Sequence, residues 1–74
     1  MELIGDTKKQ ILLEIEKRPT YGYRLAETLT LPLSTIYGHL KDLKELGLIT
    51  NYEEDRQKIY ELTEKGKQFV KILQ

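Results

Sequence analysis

Four side chains able to donate hydrogen bonds stand close together near the middle of the sequence: the hydroxyls of Ser34, Thr35 and Tyr37 and the ammonium of Lys41. Such groups donate to phosphate oxygens, the hydroxyls also reach base edges, and the Thr35 methyl suits contact with a thymine methyl. Arg56, Gln57 and Lys58 add two cations and an amide further along the chain, and Tyr21 and Tyr23 bring two more phenols. This is the chemistry of recognition rather than of bond breaking. There is one histidine, His39, and no cysteine. The lack of cysteine leaves no thiolate metal site, and there is no glycine-rich phosphate loop and no paired motif such as His-Glu-x-x-His. The acidic triplet Glu53, Glu54 and Asp55 lacks the spacing of a calcium loop and reads as a charged turn. No enzyme activity, cofactor or metal is expected, and no small-molecule ligand is evident.

The chain has 74 residues, which predicts one domain over 1–74 near the lower size limit for a self-supporting core. A chain of this size buries only about 60% of the surface its unfolded form exposes. With no disulfide available, stability must come from dense apolar packing, from a partner subunit, or from both. Twelve basic and twelve acidic side chains cancel, whereas a strong nucleic-acid binder is often net basic. A duplex responds to the local patch rather than to the sum, so neutrality does not exclude it as a partner. No apolar run approaches the roughly 20 residues that cross a bilayer, and the N-terminus lacks a signal-peptide pattern. A cytoplasmic protein without membrane contact is expected.

The elements that must position these groups follow from periodicity. A first helix is predicted from about Asp6 or Thr7 to Lys17, with Thr7 and Gln10 as a capping box and Ile11, Leu12 and Ile15 on its apolar face. Arg18-Pro19 stops it. A short second helix follows Gly22 and buries Leu25, Ala26 and Leu29, and Thr30-Leu31-Pro32 ends that pattern. The third helix, about 34–46, has Ser34 as its expected N-cap, an inward face of Ile36, Leu40 and Leu43, and Gly47 as its stop. Beyond Gly47 the period changes. The runs 48–52 and 58–62 are β-branched and aromatic, with Glu53 to Gln57 between them as a hairpin tip. A final helix from Thr63 to Gln74 carries Phe69, Ile72 and Leu73 on one side. The fold class predicted is mainly α with a small β-hairpin: a winged helix-turn-helix with a three-helix core, a two-stranded wing and a C-terminal helix.

Four fragments in this order resemble the PadR-like regulators: Gly22-Tyr23-Arg24-Leu25-Ala26, Leu33-Ser34-Thr35-Ile36-Tyr37, Leu43-Lys44-Glu45-Leu46-Gly47-Leu48-Ile49, and Tyr60-Glu61-Leu62-Thr63-Glu64-Lys65-Gly66. The resemblance spans roughly Ile11 to Phe69 and implies a dimeric, DNA-binding repressor. It departs in two places. Members of that family often continue into a longer C-terminal dimerisation region, so this sequence is expected to be a minimal form. Their wing is usually basic, whereas Glu53, Glu54 and Asp55 stand here beside Arg56 and Lys58.

On a helical projection Ser34, Gly38, Lys41, Asp42 and Glu45 face outward, with Thr35 and Tyr37 on the flanks. The helix at 34–46 is expected in the major groove of double-stranded DNA, and the wing, about 48–62, on the backbone or minor groove through Arg56, Gln57 and Lys58. Gly38 either lets the helix backbone approach DNA or is a tolerated surface glycine. Tyr21 and Tyr23 either donate to phosphates or pack half-buried on the core, while Tyr52 and Tyr60 read as cross-strand packing residues. The wing acids are expected to weaken non-specific attachment, and the alternative for that hairpin is a solvated tip. His39, at the edge of the apolar face, reads as structural. Leu13, Phe69, Val70 and Leu73 are the candidate homodimer surface; a two-fold pair would set the reading helices about 34 Å apart. The rival reading is a winged helix that docks proteins without binding DNA, which neutral charge and an acidic wing favour.

Overall fold

Ile11, Leu12 and Ile15 form the buried side of the first helix, α1 (Asp6–Lys17), and the core is built outward from that stripe. The computed structural model describes residues 4–74, so the first three positions of the expected span 1–74 lie outside the described residues. After α1 come β1 (Thr20–Tyr21), α2 (Gly22–Leu29), α3 (Leu33–Glu45), β2 (Ile49–Glu54), β3 (Gln57–Leu62) and α4 (Glu64–Leu73). Leu25 of α2, Ile36, Leu40 and Leu43 of α3, and Leu48, Ile49, Tyr60 and Val70 join the α1 stripe in one buried cluster. Burying each large aliphatic contributes about 1.5–3 kcal/mol. Helix, helix, helix, hairpin and helix make a winged helix-turn-helix.

The sheet has three strands rather than the two expected, in the order β1-β3-β2. Thr20 and Tyr21 pair antiparallel with Tyr60 and Ile59. Two residues after a proline carry no periodicity, so only the neighbouring strand identifies them as β structure. The register sorts the side chains onto two faces. Thr20, Tyr60 and Asn51 form one cross-strand row, and Tyr21, Ile59 and Tyr52 the next. Tyr60 therefore enters the core, while Tyr52 lies on the opposite face against Ile59.

The wing is longer and its turn tighter than the expected loop 53–57. Glu54 pairs with Gln57, leaving only Asp55 and Arg56 as the turn, with φ of 50° and 68°. Two left-handed residues give the type I′ geometry whose twist matches a hairpin. The ladder then runs to the tip and sets Glu53 opposite Lys58, an opposite-charge cross-strand pair of the kind that stabilises sheets.

Neither expected helix cap forms. The N-cap of α1 is Gly5 and that of α3 is Pro32, both without a side-chain cap. Thr7 and Ser34 are inside their helices, because Gly5 O and Pro32 O already accept from Lys9 and Ile36 N–H at 3.1 Å.

The end of α3 is stapled to the start of α4. Gly47, at φ 76°, turns the chain so that Leu48 N donates to Leu43 O at 3.0 Å and Gly47 N to Lys44 O at 2.9 Å, a Schellman motif. The freed carbonyls find donors in the next helix. Thr63 Oγ1 donates to Gly47 O at 2.6 Å, Lys65 Nζ to Leu46 O at 2.7 Å, and Thr63 N to Leu48 O at 3.1 Å. Thr63 is also the N-cap of α4, its hydroxyl accepting from Gly66 N at 3.0 Å.

Gly66 is buried against Leu48, and Val70, one turn further, is 0% exposed. Val70 is thus a core residue and not part of an outer partner surface. Ile72, placed on the inner side by periodicity, is 70% exposed. Phe69 and Leu73 flank the Gly66–Val70 line, packed on the core but only partly buried. The helix sits on the line where it has no side chain, and that sets its rotation.

Candidate nucleic-acid interface

The exposed face of α3 gathers most of the expected contacts. Ser34, Thr35, Tyr37, Gly38 and Lys41 are all solvent-facing, while Ile36, Leu40 and Leu43 hold the opposite side in the core. Because Pro32 rather than Ser34 ends the helix, the Ser34 hydroxyl is not consumed by capping. A Cβ built on Gly38 meets nothing within 4 Å, so the helix backbone is open to close approach there. Lys41 makes no ion pair among the described residues. Asp42 is exposed as expected, and it pairs with Lys8 of α1 at 3.3 Å.

Tyr37 links α3 to the first turn of α2. A side chain on Gly22 would come 2.8 Å from Tyr37 Cζ and 3.0 Å from its hydroxyl oxygen. Glycine is required at that position for the ring to lie on the α2 backbone. The phenol is 44% exposed, beside a helix start whose N-cap, Tyr21, offers no side-chain hydrogen bond. Free amides and the positive end of a helix dipole favour anions. Behind it, burial pushes the Tyr60 phenol above its usual pKa of 10, and the neighbouring Tyr37 adds to the rise. The Tyr60 hydroxyl therefore remains neutral at physiological pH.

The remaining expected contacts are spread over two further elements. Tyr23, on the first turn of α2, is 59% exposed. Tyr21 differs: it is half-buried in β1, and the Arg24 guanidinium lies over its ring, 5.6 Å from the centroid. That cation–π stack was not legible in the sequence, although Arg24 follows Tyr21 at a spacing that a strand-to-helix junction can close. Arg56, Gln57 and Lys58 are exposed at the wing tip, beside Glu53, Glu54 and Asp55. Of the apolar candidates, Leu13, Phe69 and Leu73 are partly buried on the core surface.

His39 is half-buried, and no group of His, Cys, Asp and Glu among the described residues could hold a metal ion. No described helix is long and apolar enough to cross a membrane.

The model of the transcriptional regulator PadR-like family matches residues 11–72. No curated protein matches the sequence. Among solved structures, a mutant form of Lactococcus lactis ZitR superposes with a TM-score of 0.89 at 25% identity, over 95% of this chain and 50% of that one. The adhesin competence repressor AdcR of Streptococcus pyogenes gives 0.91 at 19% identity, over 96% and 54%. The transcriptional regulator BldR of Sulfolobus solfataricus gives 0.88 at 24%, over 93% and 52%. This chain spans about half the length of each.

Proposed function

This chain belongs to the PadR-like family of transcriptional regulators, and we propose that it acts as a cytoplasmic, sequence-specific binder of double-stranded DNA, in the role of a repressor. The observation that carries the reading is the outer face of α3: donors at Ser34, Thr35, Tyr37 and Lys41 surround the open backbone at Gly38. In the major groove, Ser34 and Thr35 meet base edges near the helix N-terminus. Tyr37 and Tyr23, with the free amides at the start of α2, take a backbone phosphate. Lys41 takes another. The wing adds Arg56, Gln57 and Lys58 against the backbone or minor groove.

Arg56 supports the wing assignment in a second way. It occupies the second position of a type I′ turn at φ 68°, where glycine is strongly preferred. A long cation held in a left-handed conformation, where it costs about 1 kcal/mol or more, is consistent with a part in binding.

Fluorescence anisotropy on labelled duplex DNA across a salt series tests this. Log affinity is expected to fall steeply and linearly with log salt. Replacing Arg56 and Lys58 by alanine flattens that slope by about 0.9 for each phosphate no longer neutralised. An unchanged slope removes the wing from the interface. No binding at low salt favours protein docking instead, for which the exposed acids Glu53, Glu54 and Asp55 are the supporting feature.

A homodimer completes the reading. Leu13, Phe69 and Leu73, with Ile72 in place of Val70, offer partly buried and exposed apolar surface on α1 and α4. Pairing there about a two-fold axis suits a pseudo-palindromic site with half-sites about 34 Å apart. Sedimentation at tens of micromolar is expected to give a dimer, and Ile72→Glu with Leu73→Glu a monomer; a wild-type monomer rules out the pairing.

A further inference from the structure

Gly22 is buried at the first position of α2, and the atoms nearest to where its side chain would stand all belong to one phenol. A Cβ there would lie 2.8 Å from Tyr37 Cζ, 2.9 Å from Cε1 and 3.0 Å from the hydroxyl oxygen. Carbon atoms in contact sit about 3.5–4.0 Å apart, so any side chain at this position displaces the ring. The backbone makes no such demand for glycine. Among the described residues the only glycine with a positive φ is Gly47, and glycine is a poorer helix former than almost any other residue. What excludes a side chain at Gly22 is therefore the ring of Tyr37.

The ring presents an uncommitted hydroxyl. It takes no part in the side-chain hydrogen bonds of the described residues, and Tyr37 is 44% exposed. A tyrosine on the surface of a helix can occupy more than one χ1 well. Holding it in one well before binding removes an ordering cost that binding would otherwise carry.

We propose that Gly22 is a positioning residue for DNA binding: its missing side chain seats the Tyr37 ring so that the hydroxyl is already aimed at a backbone phosphate. The inference rests on the reading of α3 and Tyr37 given above and adds the source of that placement. Gly22 acts through the ring and makes no contact with DNA of its own.

A double-mutant cycle on Gly22 and Tyr37 tests this, with duplex affinity read by anisotropy across a salt series and Tm by circular dichroism. Tyr37→Phe removes the hydroxyl but keeps the ring carbons that collide with a Cβ at position 22. It is expected to lower affinity about tenfold or more, as loss of a hydrogen bond to a charged group does. The salt slope stays as it was, since a neutral donor releases no counterion. Gly22→Ala gives the same loss of affinity, because the ring must turn away; Tm changes little, because solvent is open to it. In the Tyr37→Phe background, Gly22→Ala repeats its small change in Tm yet costs no further affinity.

A glycine serving the fold alone would lower affinity equally in both backgrounds, and that result overturns the proposal. Wild-type affinity in Gly22→Ala overturns it as well. So does an unfolded Gly22→Ala, which would mean that the ring is not the part that yields. Normal binding by Tyr37→Phe overturns it while leaving duplex binding through Ser34, Thr35 and Lys41 in place. No binding by the wild type at low salt removes the DNA reading itself, and the proposal with it.

Discussion

Gly66→Ala is expected to destabilise the protein by about 3 kcal/mol or more, at the upper end of overpacking effects. The added Cβ would overlap the carbonyl oxygen of Leu48 and lie 3.0 Å from its carbonyl carbon. Neither atom belongs to a side chain that can turn aside. The Leu48 carbonyl accepts from Thr63 N, and Leu48 N closes the Schellman turn at the end of α3. Relief therefore requires α4 to move away as a body. That movement breaks the bonds from Thr63 and Lys65 to the last carbonyls of α3 and lifts Val70 out of the core. A small domain loses roughly 4–8 °C of Tm per kcal/mol, so a fall of about 15 °C or more is the outcome to look for by circular dichroism. Lys67→Ala, on the exposed side of the same helix, is the control and should shift Tm little. An unchanged Tm in Gly66→Ala means that α4 is not seated on Leu48.

The seating of α4 also explains one part of the family resemblance. The fragments around Gly47 and around Thr63-Glu64-Lys65-Gly66 lie on either side of the hairpin, and they meet in space. Gly47 makes the left-handed turn, Thr63 caps one helix while donating to the end of the other, and Gly66 permits the close approach. The fragments were legible as strings of residue types, but their partnership was not, because nothing local records that two helix ends will face each other.

Gly38→Glu is expected to leave the fold intact and to lower affinity for duplex DNA by at least about a hundredfold, roughly 3 kcal/mol. The site is open, with nothing within 4 Å of the added Cβ, and glutamate is a better helix former than glycine. Tm should rise slightly if it changes. Binding should collapse if α3 lies in the major groove as proposed, because a carboxylate and its stem would then stand between the helix backbone and the polyanionic duplex. Gly38→Ala separates the two effects: it stabilises the helix by about 1 kcal/mol, with a smaller loss of affinity set by its single methyl group. Anisotropy on the same duplex, with Tm measured in parallel, reads both. Normal affinity in Gly38→Glu removes the outer face of α3 from the DNA interface and leaves Gly38 a tolerated surface glycine.

What the sequence determined by itself was whatever depends on local period and residue type. Ile11, Leu12 and Ile15, and Ile36, Leu40 and Leu43, repeat at helical spacing; their buried side, and so the exposed side at Ser34, Thr35, Gly38 and Lys41, followed directly. The change of period after Gly47 marked the hairpin. Tertiary structure decided the rest. Thr20 and Tyr21 are a strand only because β3 lies beside them, and the wing turn shortened to Asp55-Arg56 because the ladder can continue to Glu54 and Gln57. Ser34 is not the cap it was expected to be, because Pro32 supplies the first accepting carbonyl. Val70 and Ile72 exchanged inner and outer places for a related reason. Periodicity defines a helical face only to within a residue or so, and the final rotation is set by the closest approach to a neighbour. In α4 that approach is Gly66 on Leu48, made by a residue that contributes nothing to an apolar pattern.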